Sequence, residues 1–212
     1  MVKFNNLKVL NGRIWNGLQS VMADVVLHDS LIMGQAVEKF EKAFAEYNHI
    51  AECVSVASGT DALMLALQAV GVKPKAEVIT VANSAPATVA AIRSIGAVPV
   101  YIDVDKYGLM NPDEIRPALS FKTAAIVPVH LYGRLCEMER ISTVSKERGI
   151  PVIEDAAQAV GAYRHDDRPG LWSEAACFSF YPTKVLGCLG DGGAVITRNP
   201  VTAESIRMLR NY

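Results

Sequence analysis

Cys177-Phe178-Ser179-Phe180-Tyr181-Pro182-Thr183-Lys184-Val185-Leu186-Gly187-Cys188-Leu189-Gly190-Asp191-Gly192-Gly193 is the stretch on which the reading of this chain turns. An apolar run gives way to Tyr-Pro, one lysine follows, and an Asp-Gly-Gly turn signal closes it. Ala175–Tyr181 and Gly193–Thr197 read as buried strands, so Lys184 stands on the loop between them. No carboxylate lies within six positions of it, and leucines, a valine and aromatics surround it. An ammonium in apolar surroundings loses hydration, which favours the neutral amine. A neutral lysine amine is a nucleophile whose usual partner is a carbonyl, giving a Schiff base. A solvated lysine at a loop tip is the plainer alternative, and the rest of the chain must decide between the two.

Upstream, short β-rich runs alternate with helical patterns. Strands are expected at Cys53–Val56, Glu77–Val81, Val98–Ile102, Ala124–Val129 and Pro151–Ile153. Helices are expected at Gln35–Tyr47, Ala62–Val70, Pro86–Ile95, Pro112–Leu119, Glu137–Arg148 and Val201–Leu209. Residues 1–34 are weakly patterned. Alternation of this kind argues for an α/β fold whose parallel sheet is covered on both faces. Ligands of such sheets sit at the carboxyl ends of the strands.

That rule picks out four places. Ser58-Gly59-Thr60-Asp61 opens a buried helix directly after a strand. Ser58 or Thr60 can cap it, Gly59 permits close backbone approach, and the free N–H groups suit a phosphate. It is not a Walker A loop, since G-x-x-x-x-G-K is absent. Asp155 follows the strand Pro151–Ile153 and can hydrogen-bond a ligand or simply cap a turn. His130 also stands at a strand end, where a structural role is the commoner one. Ser179 and Lys184 complete the group. Pyridoxal 5'-phosphate needs this set: an amine for its aldehyde, a helix start and hydroxyls for its phosphate, and a carboxylate for its pyridine nitrogen.

Totals exclude several classes. The 212 residues are half hydrophobic, with 21 basic against 22 acidic side chains and a net charge of -1. No basic stripe favours nucleic acid, and no apolar run reaches the roughly 20 residues of a membrane span. Met1–Asn6 lacks the apolar core of a signal peptide, and Cys53, Cys136, Cys177 and Cys188 have no metal-like spacing. Free cysteines in a cytoplasmic protein, with no metal, are expected.

From about Gly34 onward the chain resembles the DegT/DnrJ/EryC1/StrS family of pyridoxal-phosphate sugar aminotransferases. The matching runs are Gly34–Glu41, Ser58–Leu63, Pro128–Gly133, Glu154–Gln158, the stretch around Lys184, and Arg210-Asn211-Tyr212. The resemblance implies a fold-type I large domain over residues 35–212, with a mainly parallel seven-stranded sheet, after an N-terminal segment of residues 1–34. It implies that Lys184 forms the Schiff base and Asp155 pairs with the pyridine nitrogen. Gly59, Thr60 and Ser179 would hold the phosphate, and Gln158 would lie against the ring or its phenolic oxygen. Asn211 would reach the phosphate in the partner subunit of a homodimer. The implied reaction moves an amino group, commonly from glutamate, to a keto group of a nucleotide-linked sugar, for amino-sugar and surface-polysaccharide synthesis. Two departures stand out. Ala85 occupies the position where family members often stack an aromatic on the ring. The chain also stops where the family continues into a smaller C-terminal domain, so a large domain alone is expected. Two alternatives remain at this point: a ketosugar dehydratase, which Lys184 disfavours because those enzymes tend to carry histidine there, and a non-catalytic remnant.

Overall fold

Seven strands form on the β-rich runs: β1 (Glu52–Val56), β2 (Glu77–Val81), β3 (Val98–Ile102), β4 (Thr123–Ile126), β5 (Ile153–Asp155), β6 (Ala175–Ser179) and β7 (Gly193–Thr197). The structure is a computed structural model that describes residues 5–211; Met1–Phe4 and Tyr212, the last residue of the Arg210-Asn211-Tyr212 run, lie outside the described residues. The strands pair as β1-β7-β6-β5 and β3-β2-β4. Parallel bridges Ile126↔Val152 and Val129↔Asp155 join β4 to β5, giving the order β3-β2-β4-β5-β6-β7-β1. Only β7 runs against its neighbours, antiparallel to both β1 and β6. β5, β6 and β7 are buried along their whole length. Strands covered on both faces need no polar alternation, which is why Ala175-Ala176-Cys177-Phe178 reads as one apolar run.

Seven helices accompany them: α1 (Leu7–His28), α2 (Gln35–Asn48), α3 (Gly59–Ala69), α4 (Pro86–Ser94), α5 (Ile115–Ala118), α6 (Met138–Arg148) and α7 (Pro200–Leu209). α3 is apolar on most sides because it lies deep. It buries Ala62, Leu63, Leu65, Ala66 and Leu67 and packs on β6 and β7. Together with Ile92 of α4 and Ile206 of α7 it forms the core on one side of the sheet. Ile141 and Val144 of α6 close the other side over Ile79, Ile126 and Val152. Each fully buried aliphatic side chain contributes roughly 1.5–3 kcal/mol. α2 docks by aromatic contact: Phe44 meets Phe178 and Phe180 edge-on, with centroids 5.1 and 5.4 Å apart. α6 ends because Gly149 adopts the left-handed conformation (φ 64).

The chain end is anchored to the domain. Arg210 Nη1 donates to Glu41 Oε1 of α2 (2.5 Å) and to the Ser55 carbonyl of β1 (3.2 Å). The same Glu41 oxygen accepts Ser55 N–H and Ser55 O–H, each at 2.8 Å.

Four sequence expectations need correction. Residues 7–28, read as weakly patterned, form α1, and no described side chain of that helix is buried. Ile14, Trp15, Val21, Met22, Val26 and Leu27 are all exposed, so the helix lacks the one-sided burial that a periodic pattern signals. The expected helix Pro112–Leu119 divides into a 3-10 turn, Pro112–Glu114, and the short α5. β4 ends at Ile126 instead of Val129, since Pro128 has no N–H for the ladder. β5 begins at Ile153 and contains Asp155, which therefore lies within the strand rather than after it. Among the described residues no helix is long and apolar enough to cross a membrane.

Candidate active site

A cleft of about 270 Å³ opens beyond the carboxyl ends of β5 and β6. Its walls include Gly59, Thr60, Asp155, Gln158, Ser179 and Lys184, so the fold gathers six of the seven sequence-derived candidates. Asn211 is not among the lining residues. It is exposed just past the end of α7.

The floor is built by close backbone approach. Ser58 caps α3, its hydroxyl oxygen accepting Asp61 N–H at 3.1 Å and its O–H donating to Asp61 Oδ2 at 2.9 Å. Helix geometry leaves the first N–H groups of α3, at Gly59 and Thr60, without intrahelical partners. Two glycines let this turn reach the sheet. A Cβ on Gly59 would stand 2.6 Å from Ser179 Cβ, and one on Gly193 would stand 2.3 Å from the Ser58 carbonyl oxygen. Backbone N–H groups and the Ser179 hydroxyl therefore line one concave surface at the positive end of a helix, which is chemistry suited to an anion.

Asp155 is buried at the end of β5. Thr88 Oγ1 donates to its Oδ2 at 2.6 Å, and Ala157 N–H donates to its Oδ1 at 3.1 Å. Gln158 is fixed from the other side: its Oε1 accepts Tyr132 N–H at 2.7 Å, which leaves the amide nitrogen as the free donor group. That contact depends on an unusual backbone, because Tyr132 is a non-glycine residue at φ 59.

Lys184 is half-buried on the β6–β7 loop, with its own N–H bonded to the Tyr181 carbonyl at 2.8 Å. The apolar shelter expected around it is not closed. Val185, Leu186 and Leu189 are exposed, Val185 by 77%. The amine is placed in the cleft by the loop's course rather than by an apolar coat. Ala85 lines the cleft where the resemblance led to an aromatic.

His130 has the structural role considered above. It is completely buried, its Nε2 lies 2.5 Å from Glu154 Oε2, and its Nδ1 accepts Cys136 N–H at 3.2 Å. Burial opposes a charged ring, while the Cys136 side chain and Glu154 favour one. The Cys136 N–H aimed at Nδ1 decides the balance: a second proton there would face a donor, so the ring stays neutral with its proton on Nε2. Glu154 also accepts from Gly170 N–H (2.9 Å) and Ser173 O–H (2.5 Å), so its carboxylate is well supplied with donors. Sequence reasoning missed Ser84 and Thr88. Their signal was a pair of hydroxyls four residues apart at a helix start, across from a strand-end carboxylate.

The residues present fit a phosphate-bearing pyridine aldehyde. A glycine cradle at a helix start, a buried carboxylate and a lysine amine share one cleft.

Comparison with known proteins gives the same direction. The model of the DegT/DnrJ/EryC1/StrS aminotransferase family matches residues 15–212. A dTDP-3-amino-3,4,6-trideoxy-alpha-D-glucose transaminase from Micromonospora megalomicea is 50% identical over 200 residues, covering 94% of this chain and 52% of that protein. The crystal structure of Streptomyces venezuelae DesV, in complex with a ketimine intermediate, superposes with a TM-score of 0.95 at 39% identity, covering 100% of this chain and 57% of DesV. That of Bacillus subtilis NtdA with bound cofactor PMP gives 0.87 at 33% identity, covering 97% of this chain and 47% of NtdA. The chain thus spans about half the length of the curated relatives it matches. With the motifs, the strand order and this match over nearly its whole length, the chain belongs to the DegT/DnrJ/EryC1/StrS aminotransferase family.

Proposed function

We propose that this chain is the cofactor-binding portion of a pyridoxal-phosphate-dependent aminotransferase that moves an amino group, with glutamate as donor, onto the 3-keto carbon of a nucleotide-linked sugar. The observation that carries the proposal is the meeting of Lys184, Asp155 and the Gly59–Thr60 helix start in one cleft. Two relatives, the dTDP-3-amino-3,4,6-trideoxy-alpha-D-glucose transaminase and a UDP-2-acetamido-2-deoxy-3-oxo-D-glucuronate aminotransferase from Pseudomonas aeruginosa, support the choice of sugar and carbon. When bound, the cofactor supplies an electron sink that stabilises negative charge on the substrate carbon.

The chain's own residues divide the remaining work. Gly59, Thr60 and Ser179 would hold the phosphate. The Asp155 carboxylate would accept a hydrogen bond from the protonated ring nitrogen, and the Gln158 amide would offer a donor to the ring. The Lys184 amine would hold the cofactor's aldehyde and, when not bonded to it, would stand in the cleft as the group able to take up or give a proton. Asn211 serves the partner's phosphate in a cytoplasmic homodimer. Its exposure outside its own cleft and the bare apolar surface of α1 support that arrangement.

The test is borohydride reduction of the chain saturated with pyridoxal phosphate, followed by peptide mass mapping. A phosphopyridoxyl group on Lys184, absent from Lys184→Ala, is the expected result. A folded chain that gives no adduct overturns the cofactor reading. The substrate reading is tested separately, by glutamate-dependent amination of a panel of dTDP- and UDP-linked 3-ketosugars. No amino sugar from any of them overturns it.

A further inference from the structure

We propose that Thr88 is a positioning residue for the site, holding Asp155 as an oriented hydrogen-bond acceptor through a directed chain of hydroxyls that begins at Ser84. Three polar groups stand in a row. Ser84 Oγ and Thr88 Oγ1 are 2.6 Å apart, and Thr88 Oγ1 and Asp155 Oδ2 are 2.6 Å apart. Thr88 is buried at 1% exposure and has one hydroxyl proton, so the direction of one contact fixes the other. With Asp155 ionised, Thr88 must donate to it and must therefore accept from Ser84. Short contacts from a neutral hydroxyl to a carboxylate are the stronger kind.

The consequence is geometric as well as electrostatic. Oδ2 is held by Thr88 and Oδ1 by Ala157 N–H, one from the start of α4 and one from the turn after β5. The carboxylate plane is thereby pinned from two elements. Each oxygen keeps a further lone pair, and an N–H arriving through the cleft can take one. Ser84 is half-buried and lines the cleft, so the chain of hydroxyls starts at the edge of the site. A threonine that served only to start α4 would have no need to reach a carboxylate on a distant strand.

This inference rests on the pyridoxal phosphate reading above and deepens it. The test uses the chain loaded with pyridoxal phosphate labelled with 15N in its ring, in wild type, Thr88→Val, Thr88→Ser and Ser84→Ala. The ring nitrogen's NMR shift is followed from about pH 5 to 9, and Lys184 trapping is scored in parallel. In Thr88→Val the nitrogen is expected to lose its proton about one pH unit lower than in wild type, a tenfold change in proton affinity. Thr88→Ser restores the wild-type midpoint, and Ser84→Ala shifts it the same way by less. Ser84→Ala leaves the buried threonine intact, so it carries the test if Thr88→Val does not fold. Trapped cofactor with an unchanged midpoint in Thr88→Val, or in Ser84→Ala where that variant stands in, overturns the role of Thr88 alone. Absence of trapped cofactor from the wild type overturns the cofactor reading and this inference with it.

Discussion

Gly193 shows how a single missing methyl group shapes the cleft. Its would-be Cβ meets a carbonyl oxygen at 2.3 Å, and backbone cannot swing aside as a side chain can. Gly193→Ala is therefore expected to cost about 1–3 kcal/mol, or roughly 2–4 °C of Tm per kcal/mol, in a thermal melt. Gly12→Ala, which meets nothing within 4 Å, serves as the control with no loss. The cysteines give a second residue-level test. Burial pushes the Cys53 thiol up to about 12, with Glu41 adding to it, and burial likewise pushes Cys177 well up. Burial and then Asp191 raise Cys188 more modestly, on a side chain that is partly open. A raised thiol forms thiolate only at higher pH, so alkylation at about pH 8 is slow at every raised site. Iodoacetamide mapping is expected to mark Cys188 first and to reach Cys53, Cys136 and Cys177 only on unfolding. Labelling of Cys177 in the folded chain would contradict the packing described. At this scale the site was legible where chemistry dictates the residue: an amine, a carboxylate, a glycine. Thr88 was not, because a threonine near a helix start has an ordinary capping explanation and its partner lies on a distant strand.

α3 joins fold and site, since one end of it is core and the other end is cleft. Its Ser58 cap holds the first turn in place against Ser179. Ser58→Ala is expected to lower stability by about 1 kcal/mol, read as a shift in the urea midpoint with an unchanged slope. Weaker retention of pyridoxal phosphate on dialysis should accompany it, since the cap orders the N–H groups proposed to hold the phosphate. The strands and most helices were visible in the sequence because burial imposes its period on them, as in α6, where Met138, Ile141 and Val144 face inward. α1 was invisible for the same reason. With none of its described side chains buried, it shows no inward face to announce it. The end of β4 was misplaced because apolar Val127 and Val129 continue the pattern of a strand past the proline that interrupts its ladder.

At the scale of the whole molecule, one feature of the surface calls for a partner. α1 carries exposed Trp15, Val21, Met22, Val26 and Leu27 on a helix with no described side chain in the core. Of these, Trp15, Met22 and Val26 share one side of the helix, and exposed apolar side chains grouped in this way mark association. Removing residues 1–26 is expected to leave the melting temperature within about 2 °C, because none of the described side chains in that span is buried. Sedimentation velocity should at the same time show loss of self-association, and an unchanged mass distribution would sink the assignment of α1 to an interface. The strand order carries a different consequence. Among the described residues, β1, formed early in the chain, pairs with β7 alone, whose residues Gly193–Thr197 come late in the sequence. On the ribosome, the first strand must wait for almost the last, on the order of ten seconds at ordinary rates of synthesis. Through that interval β1 stands without the neighbour it will pair with, and β6, once made, waits only briefly for β7. A chain cut short anywhere before Gly193 would leave β1 without its partner strand, an open edge rather than a smaller closed sheet.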